Sequence, residues 1–252
     1  MMASLKAKLA DPNRRFTTHL CTIPSATVTQ LMVAAGADSV IIDLEHGAVD
    51  YGSAHAMIAA TARSDCAPLV RIAANEDWQV KRALDLGAEG IMFPLIKTVE
   101  DAEKAVAAMR YPPNGTRGFG PFLAHSYEGT SIAEYREMVD HDRVCTPLIE
   151  TIEAVENIEA ICAVPGIDII VPAMFDLSTA YGVSGQFDHP EVVAARDRIE
   201  AAAKANGIPL CSNALSKEAA DALFARGYRG IAGFDVLLLR GSISQMQSWT
   251  QD

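Results

Sequence analysis

The chain has 252 residues, of which 50% are hydrophobic and 21% charged, and its formal net charge at pH 7 is −11. This acidic balance argues against nucleic acid and anionic membrane surfaces as partners, because both are negatively charged. No apolar run approaches the ~20 residues that span a bilayer, and the N-terminal residues lack the apolar core of a signal peptide. Five scattered cysteines without a Cys-x-x-Cys pair indicate a reducing compartment, which predicts a cytoplasmic protein.

Short apolar runs alternate along the chain with Ala-rich stretches of helical periodicity. The runs predict strands at residues 16–23, 39–44, 68–72, 90–95, 146–150, 168–172, 208–211 and 230–234. The other stretches predict helices at residues 26–35, 52–62, 78–86, 99–109, 154–163, 190–205, 217–226 and 236–247. Eight strand–helix pairs predict one α/β domain, residues 1–252, folded as a (β/α)8 barrel. A doubly wound sheet is the alternative, but no Gly-x-Gly-x-x-Gly turn follows the first strand.

One connection, residues 111–145, is predicted to be long and irregular. It begins Tyr-Pro-Pro-Asn-Gly-Thr-Arg-Gly-Phe-Gly and carries His125. Long loops in compact domains serve as lids, binding loops or subunit contacts, or are plain surface excursions. The residues alone leave both interpretations open.

Polar residues stand where several predicted strands end. In a barrel such residues converge over one mouth, which is where ligands bind. They are Asp43, Glu45 and His46 after the second strand, Arg71 after the third, Glu150 after the fifth and Asp176 after the sixth.

Glu150 and Asp176 are expected on neighbouring strands, which lie roughly 4.8 Å apart. Two carboxylates so close repel unless one is protonated or a cation lies between them. An all-oxygen set favours Mg²⁺ or Mn²⁺, with Co²⁺ as a further candidate, and leaves positions for water and substrate. The structural alternatives are a helix N-cap for Asp176 and a salt bridge from Glu150 to Arg71.

Arg71 and His46 are the predicted catalytic side chains. Arg71 follows an apolar strand, so its guanidinium is expected to be fixed and able to stabilise an oxyanion; an ordinary ion pair is the alternative. His46 can act as a general acid or base, with Asp43 or Glu45 setting its tautomer. The segment from Asp176 begins a short helix whose free N–H groups can hold a carboxylate. Together these features suit a 2-oxo acid.

These residues stand in motifs that resemble the HpcH/HpaI family of class II, metal-dependent pyruvate aldolases, of the 4-hydroxy-2-oxoheptanedioate aldolase type. The resemblance covers nearly the whole chain. The motifs are Asp43-Leu-Glu-His, Pro-Leu-Val-Arg71, Asn75-Glu-Asp-Trp-Gln-Val-Lys-Arg-Ala-Leu-Asp-Leu-Gly, Tyr111-Pro-Pro-Asn-Gly-Thr-Arg-Gly-Phe-Gly, Ile149-Glu-Thr and Phe175-Asp-Leu-Ser. The resemblance implies reversible aldol addition of pyruvate, or a related 2-oxo acid, to an aldehyde. It also implies a barrel whose last helix is exchanged between subunits of a hexamer, a trimer of dimers.

The resemblance also assigns roles at the centre of the site. Glu150 and Asp176 correspond to the metal ligands, and Arg71 to the group that stabilises the enolate oxyanion. His46, oriented by Asp43, corresponds to the residue that moves protons through a metal-bound water.

Further positions correspond to substrate contacts. The backbone of Phe175 and Asp176 holds the substrate carboxylate, and Asp85 reaches the aldehyde pocket of a neighbouring subunit. Leu210 or Asn213 is assigned to the aldehyde pocket.

The chain departs from the family pattern at two places in the pocket, and the segment Ile208-Pro-Leu-Cys-Ser-Asn-Ala is also longer than its counterpart in typical members. Ala173-Met174-Phe175-Asp176 replaces the usual Gly-Pro-Ala-Asp or Gly-Pro-Asn-Asp, and Leu148 replaces a frequent glutamine. Both changes bear on the choice of 2-oxo acid and aldehyde.

Three other functions are compatible with the sequence. A CoA-ester lyase of the citrate lyase β or malyl-CoA type uses similar residues, although the chain shows no basic patch for the CoA phosphates. A Schiff-base aldolase needs a lysine inside the barrel, and only Lys97 lies near a strand end. A non-catalytic barrel that binds a 2-oxo acid is the third.

Overall fold

The computed structural model describes residues 4–250, except for the side chains of residues 127 and 128. Eight parallel strands form one sheet in the order β6-β5-β4-β3-β2-β1-β8-β7. A bridge between Ile170 and Leu210 joins the two outer strands, so that the sheet closes into a barrel. The predicted (β/α)8 barrel is therefore confirmed. The strands are β1 Phe16–Cys21, β2 Ser39–Asp43, β3 Ala67–Arg71, β4 Gly90–Phe93, β5 Val144–Ile149, β6 Val171–Pro172, β7 Cys211–Asn213 and β8 Gly230–Phe234.

Helices surround the barrel and fill the connections between strands. They are α1 Leu5–Leu9, α2 Ala26–Ala34, α3 Tyr51–Ala59, α4 Asp77–Asp85, α5 Val99–Met109, α6 Ala124–Glu128, α7 Ile132–Asp142, α8 Ile152–Glu156, α9 Ile158–Cys162, α10 Met174–Ala180, α11 Pro190–Ala205, α12 Lys217–Ala225 and α13 Asp235–Ser248. Among residues 4–250, no helix is both long and apolar enough to cross a bilayer. The cytoplasmic location stays a prediction.

Apolar side chains form two layers around the strands. Ile41 and Leu69 belong to the cluster inside the barrel, whereas Val40 and Ile42 pack outward against the helices. This alternation follows from the two-residue period of a strand, and it explains why strands buried on both faces read as continuous apolar runs.

The region around residues 111–145 differs from the prediction, because it contains two helices. Ser131 and Glu134 form a reciprocal capping box that starts α7, a signal that is visible in the sequence. Tyr111 and Tyr135 belong to a small buried cluster of this region. The segment is therefore an ordered packing unit and not only an irregular loop.

Two strands near the barrel closure are shorter or shifted relative to their predicted ranges. In β6, Asp168 does not extend the strand; its Oδ2 accepts the Cys145 N–H at 2.9 Å, and its Oδ1 lies 3.2 Å from Lys6 Nζ. β7 begins at Cys211, after Pro209, which has no N–H to donate. At Asp168 a side-chain hydrogen bond, and at Pro209 a missing N–H, take the place of strand-to-strand hydrogen bonds. Among the described residues, the bridge between Ile170 and Leu210 therefore closes the barrel.

Candidate active site

A cavity of about 310 Å³ opens at the carboxyl ends of the strands, and most of the predicted site residues line it. The shared position follows from the parallel topology, which brings every strand end to the same rim. The lining includes Asp43, His46, Arg71, Glu150, Phe175 and Asp176.

Asp43 and Arg71 are register partners on neighbouring strands. Arg71 donates from Nε and Nη2 to the two Asp43 oxygens at 2.8 and 2.6 Å. The Asp43 side chain is fully buried, and that of Arg71 is 13% exposed. Burial pushes the pKa of Asp43 upward, but Arg71 and two backbone N–H groups outweigh it and hold the pKa below the ordinary value. The pair is ionised, and the guanidinium is fixed in position.

His46 lies at the open side of the cavity. Asp43 Oδ1 accepts the backbone N–H of Glu45 and of His46 at 3.0 and 3.2 Å. The imidazole Nε2 lies 3.7 Å from Glu45 Oε2, and the His46 side chain is 69% exposed. Asp43 therefore fixes the backbone of His46, while Glu45 is the carboxylate beside the ring.

Glu45 carries a buried carboxylate oxygen, Oε2, that has no hydrogen bond among the described residues. Arg71 Nε lies 3.4 Å from this oxygen. Burial raises the pKa of Glu45, the positive charge of Arg71 lowers it, and the negative charges of Asp43 and Asp176 raise it further.

Glu150 follows β5 and faces the same centre. Its Oε1 accepts the backbone N–H of Leu95 at 2.5 Å. Burial raises the pKa of Glu150, and the charges of Glu45 and Asp176 add to the rise. Three carboxylates thus repel one another around one point, with Arg71 as the nearby positive charge.

Asp176 is an exposed residue in the first turn of α10. The helix begins at Met174, two residues before the predicted start, so that Ala173 occupies the N-cap and the N-cap alternative for Asp176 is wrong. Ala173 makes no side-chain cap bond to the first-turn N–H groups of α10, and the first residues of this helix line the cavity.

The donor set fits a hard divalent cation. Glu150 and Asp176 offer carboxylate oxygens on one rim, and a cation between them would relieve the repulsion that raises the pKa of Glu150. Within residues 4–250, no group of three or more His, Cys, Asp or Glu side chains is arranged to hold a metal. A site of two carboxylates leaves the other coordination positions to water and substrate.

Other predicted residues lie outside the cavity. Asp85 ends α4 and pairs through Oδ1 with Arg117 Nη2 at 2.7 Å. Leu210 is buried in the cluster between barrel and helices, because its side chain points away from the interior, whereas Asn213 lines the cavity. No lysine of residues 4–250 lines this cavity, so Lys97 is not placed for a Schiff base there.

The sequence did not indicate three groups at the site. The role of the Leu95 backbone N–H could not be inferred from residue type, because every residue except proline carries a backbone N–H. Thr18 and Thr146 line the cavity with buried hydroxyls that have no hydrogen-bond partner among the described residues. A polar threonine within a mainly apolar strand was the feature of the sequence that could have indicated them.

A closed parallel barrel with a fixed Asp–Arg pair, three further acidic side chains and an exposed histidine at its carboxyl-end mouth defines the class: a (β/α)8 protein with ionisable groups gathered at that mouth. The sequence matches the family model described as HpcH/HpaI aldolase/citrate lyase over residues 22–241. The chain belongs to this family.

Named relatives agree with the family. The chain is 38% identical over 193 residues to a 4-hydroxy-2-oxo-heptane-1,7-dioate aldolase of Salmonella typhimurium, a match that covers 75% of this chain and 73% of that protein. It is 37% identical over 219 residues to a hydroxypyruvate/pyruvate aldolase of Chromohalobacter salexigens, covering 84% of each. A crystal structure of an HpcH/HpaI aldolase/citrate lyase family protein from Burkholderia cenocepacia superposes with a TM-score of 0.88 at 31% identity, covering 97% of this chain and 98% of that one.

Proposed function

We propose that this protein is a carbon–carbon lyase that cleaves a 4-hydroxy-2-oxo acid reversibly to pyruvate, or a related 2-oxo acid, and an aldehyde. The single observation that carries the proposal is the convergence of Glu150, Asp176 and the Asp43–Arg71 pair on one cavity. Relatives with aldolase names support the reaction class. The whole chain acts as one catalytic domain.

Glu150 and Asp176 hold a divalent cation, Mg²⁺ or Mn²⁺, in this proposal. When bound, the cation polarises the keto group of the 2-oxo acid and makes the neighbouring C–H bond more acidic. The two carboxylates supply its protein ligands, and the raised pKa of Glu150 is consistent with a place that a positive charge stabilises.

Arg71 stabilises the negative charge that develops on the enolate oxygen. Its guanidinium is already oriented by Asp43, so that little reorganisation accompanies the reaction. A lysine at this position would lose the bidentate bond that fixes the charge.

His46 moves the proton at the mouth of the cavity. Its ring is exposed enough to exchange protons with solvent and lies beside Glu45, which can orient it. Asp43 contributes by fixing the backbone of His46 and by holding Arg71.

The substrate carboxylate binds the first-turn N–H groups of Phe175 and Asp176. The absence of a side-chain cap at Ala173 supports this assignment. Leu148 lines the cavity where the family frequently has glutamine, so the inner wall presents an apolar surface to the 2-oxo acid. Asn213 is the better candidate than Leu210 for an aldehyde contact, because it reaches the cavity.

A homo-oligomer, a hexamer with exchanged C-terminal helices, completes the proposal. α13 exposes Leu237, Leu239, Ile243 and Met246, which is an unusual amount of apolar surface for one helix. Asp85 lies away from its own cavity with a partly exposed carboxylate, consistent with a contact in a neighbouring subunit.

The decisive experiment measures pyruvate release from a panel of 4-hydroxy-2-oxo acids before and after EDTA treatment. We expect activity to disappear with the metal and to return on addition of Mn²⁺ or Mg²⁺. Activity that survives complete metal removal would contradict the cation site. Asp176→Asn is the matched variant, expected to lose both Mn²⁺ binding and turnover.

A CoA-ester lyase is the second candidate, because the matched family model includes citrate lyase. Saturable cleavage of a CoA thioester, with no cleavage of any 4-hydroxy-2-oxo acid, would select it. Pyruvate binding without deuterium exchange at the methyl group would instead indicate a barrel that binds a 2-oxo acid and does not catalyse.

A further inference from the structure

The backbone at Leu95 adopts an uncommon conformation beside the site. Its φ is +54°, and Arg63 is the one other non-glycine residue of the described chain with a positive φ. The left-handed region is unfavourable for an L-residue with a side chain. The Leu95 side chain is 50% exposed, so tight packing of this side chain does not account for the conformation.

The segment that follows Leu95 is held firmly in place. Ile96 is fully buried. The backbone N–H groups of Lys97 and Thr98 both donate to Asp101 Oδ2 at 3.1 Å, and Asn157 Nδ2 donates to the Lys97 carbonyl at 3.0 Å. Backbone strain persists where the surroundings fix it in this way, and it concentrates at functional sites.

The conformation directs one hydrogen bond. The angle φ describes rotation about the bond from N to Cα. Because the segment that follows Leu95 is fixed, the value of φ at Leu95 sets the direction in which its N–H points. The N–H meets Glu150 Oε1 at 2.5 Å.

We infer that the Leu95 backbone amide is a positioning group for Glu150. By engaging Oε1 it fixes the carboxylate plane and leaves Oε2 to face the cation, an inference that rests on the proposed cation site. Groups that orient a metal ligand in this way are typically worth 10–100-fold in metal affinity. The side chain at 95 is not part of the role.

Mn²⁺ affinity of metal-free protein, measured by the EPR signal of free Mn²⁺, tests the inference without using activity. Leu95→Val places a β-branched residue where φ is positive, which such residues avoid, and should weaken Mn²⁺ binding about tenfold or more. Leu95→Gly accepts the conformation freely and should bind Mn²⁺ within about twofold of wild type.

Arg63→Val is the matched control, because Arg63 has a φ of +61° and is exposed in the connection after α3. It should lower the urea midpoint while leaving Mn²⁺ affinity unchanged. Replacing the Leu95 amide by an ester, through incorporation of the α-hydroxy analogue of leucine, removes the N–H alone and should weaken Mn²⁺ binding even where Leu95→Val does not fold.

Each outcome supports or contradicts the proposed role of the Leu95 amide. Wild-type Mn²⁺ affinity in the ester protein would overturn the inference, and so would equal losses in Leu95→Gly and Leu95→Val, since these would implicate the side chain. An equal loss in Arg63→Val would reduce the effect to general stability. Wild-type protein that binds no Mn²⁺ would instead remove the proposed cation site on which the inference depends.

Discussion

Arg71 is the cation best placed to stabilise an enolate, because Asp43 holds it with two hydrogen bonds inside the cavity. We expect Arg71→Ala to lower kcat by about two to three powers of ten, the effect of removing one such donor, roughly 3–4 kcal/mol. Arg71→Lys keeps the charge but loses the planar fork and should recover only part of the rate. Steady-state kinetics with pyruvate release as the readout measures both; turnover near wild type in Arg71→Ala would exclude this role.

We expect Glu150 to make metal binding at the proposed site dependent on pH. Burial, with the charges of Glu45 and Asp176, raises its pKa above the ordinary value of 4.5. Protons compete with a cation for the carboxylate, so Mn²⁺ affinity should fall as the pH drops towards this raised pKa, earlier than an ordinary glutamate would allow. Isothermal titration with Mn²⁺ from pH 7.5 to 5 measures it.

Glu150→Gln provides the comparison for the pH series. The amide does not titrate, so the variant should bind Mn²⁺ weakly at every pH and lose most of the pH dependence. An affinity that is flat with pH in the wild type would contradict the assignment of Glu150 as a ligand.

At the site, residue type at strand ends predicted which side chains meet, but not how they pair. Asp43 and Arg71 were both expected at the mouth, and their direct register on β2 and β3 explains the pair. The Leu95 amide could not be predicted, because its role depends on a backbone angle that leucine does not favour.

At the scale of elements, Arg117 joins the segment before α6 to the end of α4. Its side chain is fully buried, and its partner Asp85 is 22% exposed. Arg117→Ala leaves the Asp85 charge without its close partner and opens a cavity, so we expect a loss of about 3 kcal/mol in the free energy of unfolding, the low end for a broken buried pair. Urea denaturation measures the loss.

Asp85→Asn serves as the comparison for Arg117→Ala. The amide keeps a hydrogen-bond acceptor for Arg117 but removes the negative charge, and it opens no large cavity. A smaller loss of stability in Asp85→Asn than in Arg117→Ala would therefore show that the cavity left by Arg117 contributes much of the loss. If both variants have wild-type stability, the Asp85–Arg117 pair does not anchor this segment.

Periodicity located strands such as β2 and β5 because they are short, mainly apolar runs that the barrel buries on both faces. It failed where polar residues or proline replace ladder bonds, as at Asp168 and Pro209 near the barrel closure. Helix α7 was overlooked although Ser131 and Glu134 form its capping box. The long connection around it, rich in glycine and proline, dominated the local pattern.

For the whole molecule, the alternation of strands and helices predicted the closed barrel. The assembly of subunits is harder to predict from the sequence. α13 carries apolar residues around much of its surface, and Leu239 and Ile243 are 54% and 50% exposed. Residues that a barrel does not cover need another apolar surface, and a second copy of the chain is the partner we propose.

The double variant Leu239→Glu/Ile243→Glu tests this arrangement. Charges on the α13 surface would have to be buried in a subunit contact, so we expect light scattering to show a smaller particle than the wild-type oligomer. Leu31→Glu is the matched control, since Leu31 is 66% exposed on α2 and its substitution should leave the mass unchanged. If Asp85 reaches a neighbouring cavity, the dissociated variant should also lose aldehyde affinity, while Mn²⁺ binding at the site that we propose for Glu150 and Asp176 of one chain persists. Wild-type mass in the double variant would place the subunit contact elsewhere.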